Sequence, residues 1–143
     1  LNYSVELRYG VLVDIAQRVF AGEPIDETMN AFHWIWQGDA CARAIQCLEH
    51  VASPPKILNV TGPREVSIRE VAERFGRAFG RTPVLTGTPA PTAWLADASE
   101  SMRLFGPVTK SLDDMVTLIA EHLRAGGGLL GKPTHFETRD GKF

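Results

Sequence analysis

His33-Trp34-Ile35-Trp36-Gln37-Gly38-Asp39-Ala40-Cys41 is the stretch on which the fold turns. His33 to Gln37 is rich in β-formers and lies between the turn-prone pair Met29-Asn30 and Gly38, the pattern of a short strand. Asp39 is then placed to cap a helix. Cys41, Ala44, Ile45, Leu48 and Val51 follow at helical spacing, and Ser53-Pro54-Pro55 ends the element because proline cannot continue a helix.

The same alternation extends in both directions. Upstream, Val5, Tyr9, Leu12, Val13, Ala16, Val19 and Phe20 predict a helix over 4–21, with Gly22 as its stop and Pro24-Ile25-Asp26 extended. Gly10 inside that helix costs about 1 kcal/mol relative to Ala; it permits a close contact or marks a later helix start. Downstream, Lys56 to Thr61 is expected to be a strand. Ser67-Ile68-Arg69-Glu70 is a capping box that opens a helix with Ile68, Val71, Ala72, Phe75, Ala78 and Phe79 on one face. Glu70/Arg74 and Glu73/Arg77 are acid-before-base pairs on the other face. Thr82 to Gly87 is a short strand. Asp97 to Glu100 opens a short helix that stops at Gly106-Pro107, and Ser111 opens the last one, whose stripe is Leu112, Met115, Val116, Ile119, Ala120 and Leu123.

Alternating strands and helices imply an α/β fold: a small, mostly parallel sheet of short strands with about five helices. The 143 residues suffice for one domain. Residues 1–125 are expected to form it, with 126–143 as a C-terminal arm. Hydrophobic residues at 44% and charged residues at 22% exclude a disordered or fibrous chain. Lys and Arg total 15 against 17 Asp and Glu, a net charge of -2 that argues against a dedicated nucleic-acid binder. No apolar run reaches membrane-span length, so no membrane partner is expected. The N-terminus has neither an initiator Met nor a signal-peptide pattern, which suggests a piece of a longer protein or a processed product. Cys41 and Cys47 point apart on a helix, about 240° round its axis. They are expected to be packed, reduced thiols in a cytoplasmic protein.

Little catalytic chemistry is visible. The triplet Gly126 to Gly128 follows a helix instead of joining a strand to one, so it is no dinucleotide loop. Tyr9 is followed by Val13, not by the lysine of a Tyr-x-x-x-Lys pair. His50 and His122 fall near helix C-termini, where they favour the dipole. His135, Glu137 and Asp140 are expected to be solvated arm residues, and no metal is assigned. Trp34 and Trp36 share a face if their segment is a strand; packing is the expected role, stacking on a ligand the alternative. Asn2 and Asn59 either contact a substrate or satisfy backbone groups.

The order of motifs resembles the C-terminal half of NAD-dependent epimerase/dehydratases, the extended short-chain dehydrogenase/reductases. The resemblance is carried by Leu1-Asn2-Tyr3, Gly22-Glu23-Pro24-Ile25, Trp34 to Ala42, Leu58-Asn59-Val60-Thr61-Gly62-Pro63 with its Ser67-capped helix, and Leu104-Phe105-Gly106-Pro107 before Ser111-Leu112. It reaches to about Leu123. It implies a substrate-binding lobe of an oxidoreductase or epimerase. The family's glycine-rich nucleotide loop and its Tyr/Lys pair would lie upstream of Leu1. The chain alone is therefore expected to be inactive and to bind no cofactor, with NAD(P) implied for the intact family. By this analogy the substrate is small and polar, resembling a nucleotide sugar. Asn2 is its foremost contact, and Trp36 and Asn59 are further candidates. The wide stripe of the first helix suggests a surface left open for a missing Rossmann lobe or for a second copy in a homo-oligomer. The alternative is an independent small α/β binding or assembly module without redox chemistry.

Overall fold

The computed structural model describes residues 1–138. Strand β1 (Ser4–Val5) leads to helix α1 (Val11–Ala21), then β2 (Pro24–Asp26), β3 (Ala31–His33), β4 (Ile35–Trp36) and α2 (Gln37–Gln46), which tightens into a 3₁₀ turn, Cys47–His50. After a loop come β5 (Glu65–Ser67), α3 (Ile68–Phe79), β6 (Val84–Thr86), α4 (Ser99–Phe105) and α5 (Leu112–Arg124). Five helices and short, parallel-leaning strands make the α/β class plain.

The strands pair in three separate two-stranded ladders among the described residues. β1 runs parallel to β4, with Val5 opposite Trp36, and β2 runs parallel to β6, with Ile25 opposite Leu85. β3 and β5 are antiparallel, with Phe32 opposite Val66. The core lies where α1, α3 and α5 meet these ladders. Leu12, Ile15, Ile68, Phe75, Met115 and Ile119 are all fully buried there. No described helix is long and apolar enough to cross a membrane.

Several local expectations change. The first helix begins at Val11, not Ser4, because Gly10 has φ 126° and ψ 166°, outside any helix. Val5 is instead a buried strand residue packed against Gly10. The strand expected over 33–37 is split at Trp34 into β3 and β4. Residues 56–61 form no ladder; the Asn2 amide, ahead of β1, donates to the Val60 carbonyl at 3.3 Å. The ladder strand is β5, just before the Ser67 cap.

Asp39 is not an N-cap. It sits in the first turn of α2, and its carboxylate accepts from the Thr109 amide at 2.9 Å and the Thr109 hydroxyl at 2.8 Å. The caps on α3 and α5 form as expected: Ser67 Oγ accepts from the Glu70 amide at 3.0 Å, and Ser111 with Asp114 closes a complete capping box. The Glu70 carboxylate does not reach back, because Arg64 and Arg74 both donate to it. Cys41, expected to be packed, is exposed.

The chain beyond α5 returns along α1. The Leu130 amide donates to the Arg8 carbonyl at 3.1 Å, Arg18 pairs with Glu137, and Phe136 is only 3% exposed. Asp140 lies outside the described residues.

Candidate functional site

The N-terminal residues enter β1 through an unusual backbone turn. Tyr3 has φ 36°, and its ring meets Phe32 edge-on with centroids 5.7 Å apart. Burial pushes the Tyr3 phenol above its ordinary value, so it is a neutral donor and acceptor at physiological pH. The Thr61 hydroxyl, fully buried, donates to the Asn2 carbonyl at 3.2 Å. Together with the Asn2–Val60 bond this ties the chain start to residues 59–61.

That tie brings Asn2 and Asn59 onto the wall of one cleft of about 840 Å³, which Trp94, Leu95 and His135 also line. Asn2 Nδ2 donates to the Trp94 carbonyl at 3.3 Å and Asn59 Nδ2 to the Asp97 carbonyl at 3.1 Å. Each carboxamide is thereby oriented, while its chemistry includes a second N–H and an acceptor oxygen for a polar ligand. Among the described residues the cleft is lined by amides, an imidazole, a phenol, threonine hydroxyls and apolar side chains, with no Asp, Glu, Lys or Arg on its wall. Such a set can hold hydroxyl, carbonyl and phosphoryl oxygens by hydrogen bonding.

Trp36 does not join this cleft. It lines a separate cavity of about 280 Å³ with Arg64, Arg74 and Lys110, and the Lys110 ammonium stands 5.8 Å from its ring centroid. Trp34 is 7% exposed, and its carbonyl presses so closely on Gly62 that a Cβ there would lie 2.1 Å from the oxygen. His135 is on the cleft wall, whereas the Glu137 carboxylate is held by Arg18. His122 Nε2 is 3.1 Å from the Gly128 carbonyl, and the His50 ring packs 5.5 Å from that of Phe105.

Sequence reasoning missed Trp94, Thr134 and His135 as cleft residues. All three are carried by irregular chain, which has no periodicity to flag them. It also missed Arg43, only 3% exposed, which donates to the Gly106 carbonyl at 2.8 Å. Burial lowers the Arg43 pKa from its ordinary value, and the nearby Asp39 charge opposes that shift.

No family model matches the chain, and no curated protein sequence matches it. Solved structures do. UDP-glucose 4-epimerase from Thermotoga maritima, solved with UDP-glucose, is similar with a TM-score of 0.61 and 16% identity over 82% of this chain and 40% of that one. The Thermus thermophilus UDP-glucose 4-epimerase, in complex with NAD, gives 0.63 and 20% over 80% of this chain and 40% of that one. UDP-glucuronic acid 4-epimerase from Bacillus cereus, also with NAD, gives 0.62 and 14% over 80% and 39%. The chain spans about 40% of the length of these structures. Over about 80% of its own length it has the fold of part of the extended short-chain dehydrogenase epimerases, as its motif order suggested.

Proposed function

We propose that the chain is the substrate-binding lobe of an NAD(P)-dependent epimerase, dehydratase or reductase, acting on a nucleotide sugar or a similar polar substrate and inactive alone. The observation that carries the reading is the cleft of about 840 Å³ that gathers Asn2 and Asn59, within a fold shared with an epimerase solved with UDP-glucose. Its volume lies in the range of small-molecule sites, roughly 300–1,000 Å³. In this reading Asn2 donates to a phosphoryl or sugar oxygen and Asn59 flanks it. Trp36 faces the other cavity and has no part in it. Hydride transfer is assigned to no residue of this chain; NAD(P) and the groups that move the proton belong to the intact protein. Residues 1–125 form the lobe, and the following segment straps α1. Two free thiols fit a cytoplasmic setting.

The alternative, an independent α/β binding or assembly module, is favoured by one observation. The α1 stripe expected to be open is buried in the chain's own core: Val5, Leu12, Val13 and Val19 are at most 2% exposed, and only Phe20 reaches 40%. The homo-oligomer inferred from that stripe therefore loses its surface.

NMR titration of the purified chain with UDP-glucose, and separately with NADH, tests the reading. Expected are saturable shifts at the Asn2 and Asn59 side-chain amides with Kd on the order of 1 mM or tighter, at least fivefold weaker in Asn2→Ala, and no saturable NADH binding. Tight NADH binding, or no response to UDP-glucose, overturns it.

A further inference from the structure

The cavity that holds Trp36 has no part in the substrate reading, yet two glycines build it closely. A Cβ on Gly62 would lie 2.1 Å from the Trp34 carbonyl oxygen, and one on Gly38 would lie 2.4 Å from the Trp36 ring. The first approach holds the loop at residues 62–64 against Trp34. The second sets the Trp36 indole against the backbone at the start of α2. Trp34, Ile35, Val66 and Leu112 supply apolar wall and are all buried.

The charged groups on that wall are unbalanced: Arg64, Arg74 and Lys110 stand against one carboxylate, Asp113. Arg64 Nη2 and Arg74 Nη2 donate to the same oxygen of Glu70, at 2.6 and 3.0 Å, which sets the two guanidiniums side by side. Arg74 also pairs with Asp113. A guanidinium has five N–H groups, and Arg64 makes two hydrogen bonds among the described residues, both to Glu70. Lys110 forms no ion pair among the described residues. Its ammonium stands 5.8 Å from the Trp36 ring centroid. The neighbouring Asp114 carboxylate accepts from the Ser111 amide and hydroxyl, at 2.8 and 2.7 Å, and does not line the cavity.

Charge, lining and size together select one class of ligand. The cations repel a positively charged guest. Counting Glu70, three positive groups (Arg64, Arg74, Lys110) meet two negative ones (Glu70, Asp113), an excess of one that matches a single negative charge. The tryptophan and aliphatic walls call for an apolar body. The volume of about 280 Å³ lies just below the usual range for small-molecule sites, roughly 300–1,000 Å³, so the body is a single ring or a short branched chain.

We propose that this cavity binds a small organic carboxylate with an aromatic or branched apolar body, at a site separate from the substrate cleft. Lys110 and Arg64 donate to the carboxylate, and the apolar body lies along Trp36 and Leu112. Trp36 then stacks on a ligand, while Trp34 packs. The site does not depend on the substrate-lobe reading, because its ligand is bound in the absence of UDP-glucose.

NMR titration of the 143-residue chain with benzoate tests the proposal, beside benzamide, which keeps the ring without the charge, and inorganic phosphate, which keeps charge without the ring. Expected for benzoate are saturable shifts at the Trp36 indole N–H with Kd on the order of 1 mM or tighter, and binding about fivefold weaker or worse for the other two. Lys110→Gln and Arg64→Gln, both on the solvent side of the cavity, should each weaken benzoate about fivefold with thermal melts unchanged. Four results would each overturn the proposal: no saturable benzoate shift, benzamide or phosphate binding as tightly as benzoate, an unchanged benzoate Kd in both variants, or shifts confined to the Asn2 and Asn59 side-chain amides.

Discussion

Replacing Gly10 by Ala sets two structural accounts against each other with opposite signs. Gly10 has φ 126° and ψ 166°, a region nearly closed to L-residues, where a side chain costs about 1–3 kcal/mol. The added Cβ would lie 3.0 Å from Val5 Cα and 3.0 Å from Val5 Cγ2. Val5 is fully buried and its backbone is held in register with Trp36, so it has little room to yield. Overpacking of that kind adds about 1–3 kcal/mol. The sum, about 2–6 kcal/mol, is a large share of a domain stability of about 5–15 kcal/mol. With a urea dependence of about 2 kcal/mol per M, the midpoint should fall by roughly 1–3 M. If residues 4–21 formed one helix, Gly10 would be interior, and Ala would stabilise it by about 1 kcal/mol. Urea titration followed by circular dichroism reads the sign directly. Gly128→Ala, where a Cβ meets nothing within 4 Å, is the control and should stay within about 0.5 kcal/mol. A Gly10→Ala midpoint at or above that of the parent protein refutes the reasoning.

Three further outcomes follow from single contacts. Ser67→Ala should lose about 1 kcal/mol in thermal melts, with UDP-glucose shifts unchanged; altered binding at unchanged stability would place Ser67 at the site. Asp39→Ala removes both bonds to Thr109 and should cost about 2–3 kcal/mol, with faster exchange of the Thr109 amide; unchanged exchange would contradict the tie. The Glu100 carboxyl is lowered to about 2 by hydrogen bonds from Arg103 and Lys56. Because its folded value lies below the unfolded one, its contribution is present above the ordinary glutamate range and is lost as pH falls through about 2. A carbon-13 titration midpoint near the ordinary value would show that these contacts do not persist in solution.

What was legible in the sequence was local. The caps at Ser67 and Ser111 depend on groups three residues apart, so α3 and α5 could be placed from the chain alone. Strands of two or three residues depend on partners far away in sequence, so β5 was missed and residues 56–61 were given a ladder they do not form. Val5 and Tyr9 happened to extend the periodicity of α1 backwards, while Gly10 forbids that helix. Asn2 and Asn59 were visible as polar residues at extended positions. Their meeting required the hydrogen bonds that tie Asn2 to Val60 and Thr61, far away in sequence, and Trp94 and His135 arrive on irregular chain with no local signature.

Helix α2 shows most clearly where pattern reading ends. Its apolar spacing correctly announced a helix and wrongly implied which face the fold would bury. A periodic stripe fixes which residues share a face; it says nothing of what lies opposite. The orientation is set by two polar ties that spacing cannot reveal. Asp39 accepts two hydrogen bonds from Thr109, and Arg43 donates to the Gly106 carbonyl. Burying such groups is unfavourable unless they are paired, and both ties hold the loop between α4 and α5. With Asp39 and Arg43 facing inward, Ile45 and Leu48 must face out. Here the two ties outweigh the burial that Ile45 and Leu48 forgo.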